Sequence, residues 1–194
     1  MRSDQAIEMN TKGRLHAFVD SFEHIVADRG VEERLLAQGK AILSELIRHD
    51  DWLPDKFARP SPERYQQYLL HCDPLKRFSV VSFVWGPGQT TPVHDHTVWG
   101  MVGVMRGAEV CEEFDRDVAT GRLQSTGSHL LPAGAIDLVS PRIGDIHRVS
   151  NALADSVSIS IHVYGADIGA VKRHVFDADT GAMKDFVSGY SEPY

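Results

Sequence analysis

From Phe78 onward the chain is a succession of short apolar runs separated by turn residues, and this pattern limits the possible fold more than any other feature of the sequence. Strands are predicted at Phe78–Trp85, Val98–Met105, Glu109–Phe114, Gly134–Val139, Ile146–Val149 and Val157–Tyr164. A short helical piece is predicted before them, around Tyr65–Leu70, and a loop or tail after them, at Asp177–Tyr194. Many short strands at this spacing favour an antiparallel sandwich or a small barrel.

The N-terminal part of the chain has a different, helical periodicity. Between Thr11 and about Trp52, apolar residues recur at steps of three and four, which predicts two or three amphipathic helices separated near Gly30. We therefore expect a helical segment over residues 1–60 that packs on a barrel formed by residues 61–194. The two parts together are expected to make one compact domain.

Composition excludes several classes of protein. The 194 residues carry 20 Lys and Arg against 27 Asp and Glu, a formal charge of -7, so no net positive field attracts nucleic acid or an anionic membrane. The sequence has no apolar run long enough for a signal core or a membrane span. Cys72 and Cys111 lack C-x-x-C spacing and suit a reduced compartment. We expect a soluble cytoplasmic protein with no nucleic acid or membrane partner; the sequence does not indicate its oligomeric state.

Three of the ten histidines form a candidate metal site. His94 and His96 are spaced i and i+2, so on a strand both imidazoles point to the same face and can share one ion. His147 follows a turn and lies at the start of a later predicted strand. Imidazole suits iron, zinc, copper and nickel, so these residue types alone do not choose the metal.

The residues around these histidines resemble the two motifs of the cupin superfamily. The matching positions are Gly88, His94, His96 and Gly107 in the first motif, and Pro141, Gly144, His147 and Asn151 in the second. The resemblance implies a mainly β fold, a double-stranded antiparallel β-barrel or jelly roll, with the metal in its mouth. Most metal cupins also have a glutamate ligand shortly after the second histidine, and this sequence lacks it. A neutral three-histidine site leaves the charge of a divalent ion uncompensated and favours anionic ligands such as a thiolate.

Cupin motifs with three histidines and no glutamate ligand are similar to those of the cysteine dioxygenase (thiol dioxygenase) family, whose members hold Fe(II) with three histidines. Ser160, His162 and Tyr164 alternate along one predicted strand, so their side chains share a face and can form a hydrogen-bonded row. The family has a catalytic Ser-His-Tyr triad of this S-x-H-x-Y form. The resemblance covers most of the stretch Tyr65–Phe176.

Two further positions bear on the substrate. Family members that oxidise L-cysteine in animals carry Y-x-R before the barrel, where the arginine holds the substrate carboxylate; here Gln67 replaces that arginine. Arg173 occupies the place where the glutamine-type bacterial members supply an arginine instead. That subgroup includes 3-mercaptopropionate dioxygenases. A guanidinium binds a carboxylate as a bidentate fork, so the resemblance implies a substrate carboxylate held by Arg173 with help from Gln67.

A cofactor of the animal members is absent from this sequence. They carry a thioether crosslink between a cysteine and the triad tyrosine, and the alignment puts Gly100 at the cysteine position. No crosslink is expected, and no organic cofactor site is predicted. Cys72 and Cys111 are expected to be buried small apolar residues. No ligand role is assigned to the six remaining histidines: His16, His24, His49, His71, His129 and His174.

The resemblance implies an enzyme that oxidises a small thiol with O2 to a sulfinate, with 3-mercaptopropionate favoured and L-cysteine next. Two other classes stay open. Another metal-dependent cupin enzyme would use the same scaffold, although the missing glutamate and the S-x-H-x-Y row oppose it. A non-catalytic cupin that binds a small ligand is the third possibility; such sensors are usually joined to a DNA-reading module, and the first sixty residues contain no basic helix-turn-helix.

Overall fold

The computed structural model describes residues 2–28 and 30–193, with side chains described from residue 13 onward. Two helices come first, α1 (Arg2–Ala27) and α2 (Glu32–Ile47), followed by a 3-10 turn at Asp55–Phe57. The strands are β1 (Gln66–Cys72), β2 (Ser79–Trp85), β3 (Val93–His94), β4 (Gly100–Arg106), β5 (Ala108–Arg116), β6 (Leu123–Pro132), β7 (Ile136–Val139), β8 (Ile146–Asn151), β9 (Ser158–Tyr164), β10 (Arg173–Phe176) and β11 (Met183–Phe186).

The strands form two antiparallel sheets that pack face to face. One has the order β1-β2-β9-β4-β7 and the other β11-β10-β3-β8-β5-β6. Side chains from both sheets meet in one apolar cluster, for example Phe83 and Val104 with Leu131 and Val149. The predicted fold class, a mainly β double-stranded barrel of cupin type with N-terminal helices, is confirmed.

The helices cover the outer face of the five-stranded sheet. Phe22 and Leu43 pack in one buried cluster with Val80 and Ile161, which point away from the barrel interior. Every residue of β2 and β9 is buried as a result, because one face meets the helices and the other lines the barrel. Helix α2 lies so close to β4 that a Cβ on Gly39 would be 2.5 Å from Met101 Cε.

All six predicted strands are present, as β2, β4, β5, β7, β8 and β9. The helix predicted around Tyr65–Leu70 is wrong, because this segment pairs along its length with β2 as strand β1. Its side chains alternate: Tyr68 packs toward the helices, while Tyr65 and Leu69 pack in the barrel. Such period-two burial comes from tertiary pairing, which overrides local helix propensity.

The loop or tail predicted at Asp177–Tyr194 is also partly wrong, since β11 pairs there with β10. The helical prediction is confirmed, with α1 and α2 on either side of Gly30, although α1 begins well before Thr11. Among the described residues, no helix is long and apolar enough to cross a membrane. The division of the chain at residue 60 stays a prediction.

Candidate metal centre

The three histidines predicted as ligands converge at one point in the barrel. His94 on β3 lies opposite His147 on β8, and His96 follows two residues after His94. All three are buried, and one ring nitrogen from each lies within 4.8 Å of the others. Asp95, between the two close histidines, turns the other way and accepts hydrogen bonds from the backbone N–H and the ring Nδ1 of His174. The alternation expected of an extended segment is therefore present although β3 itself is only two residues long.

Each of the three histidines has a partner at Nδ1, which leaves Nε2 available to an ion. Nδ1 of His94 lies 3.0 Å from the Pro92 carbonyl oxygen, and Nδ1 of His96 lies 3.0 Å from Asp145 Oδ1. Nδ1 of His147 lies 3.5 Å from Cys111 Sγ. Nε2 of His96 is buried with no hydrogen-bond partner. Such contacts fix the ring orientation and tautomer of metal-binding histidines, so the residues fit a bound metal.

The electrostatics of the group also fit metal binding. Burial lowers the pKa of His94 to about 3, helped by the neighbouring His96. Burial also lowers the pKa of His147 well below its ordinary value. These rings are therefore neutral, and a neutral imidazole is the form that binds a cation. The group can hold a metal ion, and imidazole ligands alone do not specify which one.

Asp145 is a residue of this centre that the sequence analysis missed. Its carboxylate accepts hydrogen bonds from the backbone N–H groups of His96 and Thr97 as well as contacting the His96 ring. Burial opposes its ionisation, but these hydrogen bonds outweigh burial and lower its pKa. Thr97 adopts φ 59°, a left-handed conformation that a β-branched residue rarely adopts. An acidic residue two positions before His147 was the available signal, because carboxylates commonly orient metal-binding histidines.

The predicted Ser-His-Tyr row is present on β9. Ser160 Oγ lies 2.8 Å from His162 Nε2, and His162 Nδ1 lies 2.8 Å from the Tyr164 hydroxyl. Burial lowers the pKa of His162 and raises the pKa of Tyr164, so the row holds a neutral imidazole and a neutral phenol. The Tyr164 ring stacks on the His96 ring with centroids 5.3 Å apart. The row therefore ends beside the metal centre.

Two residues at the far end of the row were also missed. The Trp85 indole N–H donates to Ser160 Oγ at 3.3 Å. Glu109 is fully buried and accepts a hydrogen bond from Ser158 at 3.1 Å. Burial raises the pKa of Glu109 to about 7, and the hydrogen bond from Ser158 opposes this rise. Glu109 lies on a different strand and carries no local sequence signal that marks it as buried.

Gly100, which the alignment puts at the cysteine position of the animal members, lies opposite Tyr164 in the pairing of β4 with β9. A Cβ at this position would sit 2.7 Å from the Tyr164 ring. The backbone therefore approaches the ring too closely for a side chain, and no sulfur is available there for a thioether. Cys72 and Cys111 are both free thiols. Cys111 is buried as expected, whereas Cys72 is only half-buried.

Arg173 projects from β10 and is 3% exposed. Its Nη2 donates to Ser188 Oγ at 2.6 Å, and the guanidinium lies 4.6 Å from the centroid of the Phe186 ring. Its Nε is buried without a partner, and no salt bridge to a carboxylate is found for it within the described part of the chain. Burial raises the pKa of Tyr164 and lowers the pKa of His94; the charge of Arg173 opposes the first shift and adds to the second. A buried cation without an anionic partner is costly, so this position is suited to an incoming anion.

Gln67 is half-buried on β1 and lines a cavity of about 260 Å³ together with Tyr65, Ser188 and Tyr190. Its backbone N–H donates to Ser191 Oγ at 3.1 Å, and its carbonyl oxygen accepts from the Ser191 N–H at 2.8 Å. The cavity shares Ser188 with the surroundings of Arg173, so the two predicted substrate residues lie in one region. Their roles stay predictions.

Fold and site together define a class: a cupin-type barrel with a buried three-histidine group that could bind a metal. Among curated proteins, the chain is similar to cysteine dioxygenase type 1 of Danio rerio, with 25% identity over 118 residues. The match covers 59% of this chain and 56% of that protein, so the chain spans little more than half the length of this relative. No protein-family model matches the chain.

Solved structures also resemble the barrel. A Klebsiella pneumoniae protein with a double-stranded β-helix domain has 21% identity and a TM-score of 0.44, covering 59% of this chain and 89% of its own. A Cupin 2 conserved barrel domain protein from Salinispora arenicola has 18% identity and a TM-score of 0.43, covering 59% of this chain and 86% of its own.

Proposed function

We propose that this protein is a mononuclear non-haem Fe(II) thiol dioxygenase, which oxidises a small thiol carboxylate to the corresponding sulfinate. The observation that carries the proposal is the pairing of a neutral three-histidine group with a buried arginine that lacks a carboxylate partner. The first needs an anionic ligand such as a thiolate, and the second needs an anion such as a carboxylate. The similarity to a cysteine dioxygenase supports the same reaction.

The reaction requires no further reductant. Both atoms of O2 are added to the thiol sulfur, and the sulfur supplies all the electrons that O2 accepts. Iron bound by His94, His96 and His147 would supply a coordination sphere in which thiolate and O2 meet.

The residues of the chain position the substrate around that site. Arg173 binds the carboxylate through its guanidinium, whose Nε–H has no other partner, with Gln67 on the wall of the same region. Tyr164 presents its hydroxyl beside His96, His162 orients Tyr164, and Ser160 holds His162. Because burial keeps Tyr164 protonated, it can donate a hydrogen bond to the bound substrate or oxygen.

We favour 3-mercaptopropionate as substrate because Gln67 and Arg173 match the glutamine-type arrangement, and we place L-cysteine next. A thiol amine without a carboxylate is disfavoured, since it leaves Arg173 unpaired.

The test is O2 consumption by the iron-loaded protein with 3-mercaptopropionate, L-cysteine and cysteamine in parallel. We expect the highest kcat/KM with 3-mercaptopropionate, the lowest with cysteamine, and loss of uptake in His96→Ala. His49→Ala, which removes a histidine far from the group in sequence, is the control and should retain uptake. The proposal would be refuted if His96→Ala consumed O2 at the wild-type rate, or if the wild type consumed no O2 with any of the three thiols.

A further inference from the structure

A second group of metal-binding side chains lies next to His147, outside the three-histidine group. Cys111, His129 and Asp137 offer a sulfur, a ring nitrogen and a carboxylate oxygen that all lie within 4.8 Å of one another. Cys111 on β5 is directly opposite His129 on β6. Asp137 comes from β7, at the edge of the other sheet. The group therefore draws one ligand from each of three strands and joins the two sheets.

The contacts within this group already hold its side chains in place. His129 Nε2 lies 2.7 Å from Asp137 Oδ2. Cys111 Sγ lies 3.5 Å from Nδ1 of His147, which fixes the position of the sulfur. These partners orient the donors before any ion arrives.

The group is closed at one end and open at the other. Cys111 is 2% exposed, whereas the side chains of His129 and Asp137 are 38% and 24% exposed. A cavity of about 120 Å³ lined by Cys111 and Asp137 adjoins the group. An ion can therefore enter from solvent, and a water molecule can complete its coordination.

We propose that Cys111, His129 and Asp137 form a second metal site, selective for Zn²⁺ and similar borderline-soft divalent cations. Thiolate, imidazole and carboxylate are the ligands of protein zinc, and three of them with an open position make a tetrahedral site with one exchangeable ligand. Binding releases the thiol proton of Cys111 to solvent. The bound ion clamps β5 and β6 of one sheet to β7 of the other. This inference does not rest on the proposed thiol oxidation.

The thiolate allows the two sites to be told apart. The three-histidine group contains no sulfur, so a cobalt–thiolate charge-transfer absorption in the near ultraviolet reports only a cysteine site. The experiment titrates the metal-free full chain with Co²⁺ under a phosphine reductant, then adds Zn²⁺. Equilibrium dialysis counts the bound ions.

We expect the absorption to saturate at one Co²⁺ per chain, to disappear when Zn²⁺ is added, and to be absent from Cys111→Ser. Cys72→Ser is the matched control and should retain the full signal. His129→Asn and Asp137→Asn, which change half-exposed residues, should each weaken Co²⁺ binding at this site by at least tenfold, so the test remains valid if Cys111→Ser does not fold. Total binding should fall from two ions per chain in the wild type to one in Cys111→Ser. Absence of the absorption from the wild type, its loss in Cys72→Ser, or wild-type affinity in His129→Asn and Asp137→Asn would overturn the proposal.

Discussion

At the scale of single residues, Arg173 is the most informative about the chemistry of the substrate. It is a buried cation whose Nε has no partner; its guanidinium donates to the Ser188 hydroxyl and lies over the Phe186 ring. A guanidinium in this setting can form two parallel hydrogen bonds with a carboxylate, whereas a lysine ammonium cannot reproduce the fork.

Arg173→Lys is therefore expected to lower kcat/KM for 3-mercaptopropionate by about 10- to 100-fold, because hydrogen bonds to charged groups contribute about 1.5–3 kcal/mol. Steady-state O2 uptake measures the effect. Arg122→Lys, at an exposed position, is the control. An unchanged kcat/KM in Arg173→Lys would show that Arg173 does not bind the substrate carboxylate.

The Tyr164 hydroxyl is the donor of the row that faces the centre. Tyr164→Phe should lower kcat by about 100-fold, the effect typical of losing one aligned donor in an active site, with iron content unchanged. Tyr68→Phe is a matched control, because Tyr68 is equally buried but its hydroxyl donates to the Arg59 carbonyl oxygen, away from the row. If kcat for Tyr164→Phe equals that of the wild type, the Ser-His-Tyr row has a structural role only.

Glu109 gives the stability of the chain a definite pH dependence. Burial raises its pKa from 4.5 to about 7, so between these values the folded chain retains a proton that the unfolded chain has released. The free energy of unfolding therefore falls as the pH rises through this window.

Gln cannot ionise, so Glu109→Gln should not lose stability in this way. The free energy of unfolding of the variant, minus that of the wild type, should therefore rise by about 3 kcal/mol between pH 4.5 and pH 7. Urea unfolding of the metal-free chains at the two pH values tests this, with the exposed Glu63→Gln as control. A difference between Glu109→Gln and wild type that is independent of pH would contradict the account.

At the scale of elements, prediction succeeded where local pattern and tertiary environment agree. β9 is the clearest case: its polar residues Ser160, His162 and Tyr164 face the barrel, and Ile159 and Ile161 face the helices. β1 was misassigned because its partner strand, rather than its own sequence, determines its conformation. β3, with two residues, is too short for any periodicity, yet it carries His94.

The turn between β1 and β2 depends on Asp73. This buried carboxylate binds the Arg77 guanidinium at 2.6 and 3.0 Å and accepts the backbone N–H groups of Leu75 and Arg77. The hydrogen bonds from Arg77 lower the pKa of Asp73 from 3.8 to about 2. Its contribution to stability is therefore fully present above pH 3.8 and is lost as the pH falls through 2.

Asp73→Asn should accordingly lower the free energy of unfolding by about 2 kcal/mol at neutral pH, since it removes a hydrogen-bonded charge pair. The deficit should shrink as the pH falls toward 2. Chemical denaturation across this range is the measurement, and Asp179→Asn, in an exposed turn, is the control. A deficit of equal size at both ends of the range would be inconsistent with an ionised Asp73.

At the scale of the whole molecule, the two sheets create the centre between them. His94 and His147 of the three-histidine group lie opposite each other on β3 and β8, and His96 follows β3. The Ser-His-Tyr row comes from the opposite sheet. The sequence predicted these groups because each contributing motif is a short, continuous segment. Glu109 and the Cys111 group were not recognised, because their importance arises from contacts between elements that no single segment reveals. Asp145 was missed although its place two residues before His147 was a local signal.

The most direct test of the central claim is the fate of oxygen. Iron-loaded protein is given 3-mercaptopropionate under ¹⁸O2, and the product is analysed by mass spectrometry. The account predicts a sulfinate that carries two labelled oxygen atoms, formed by the wild type and absent with His96→Ala. A disulfide as the sole product, or a sulfinate without label from O2, would contradict it.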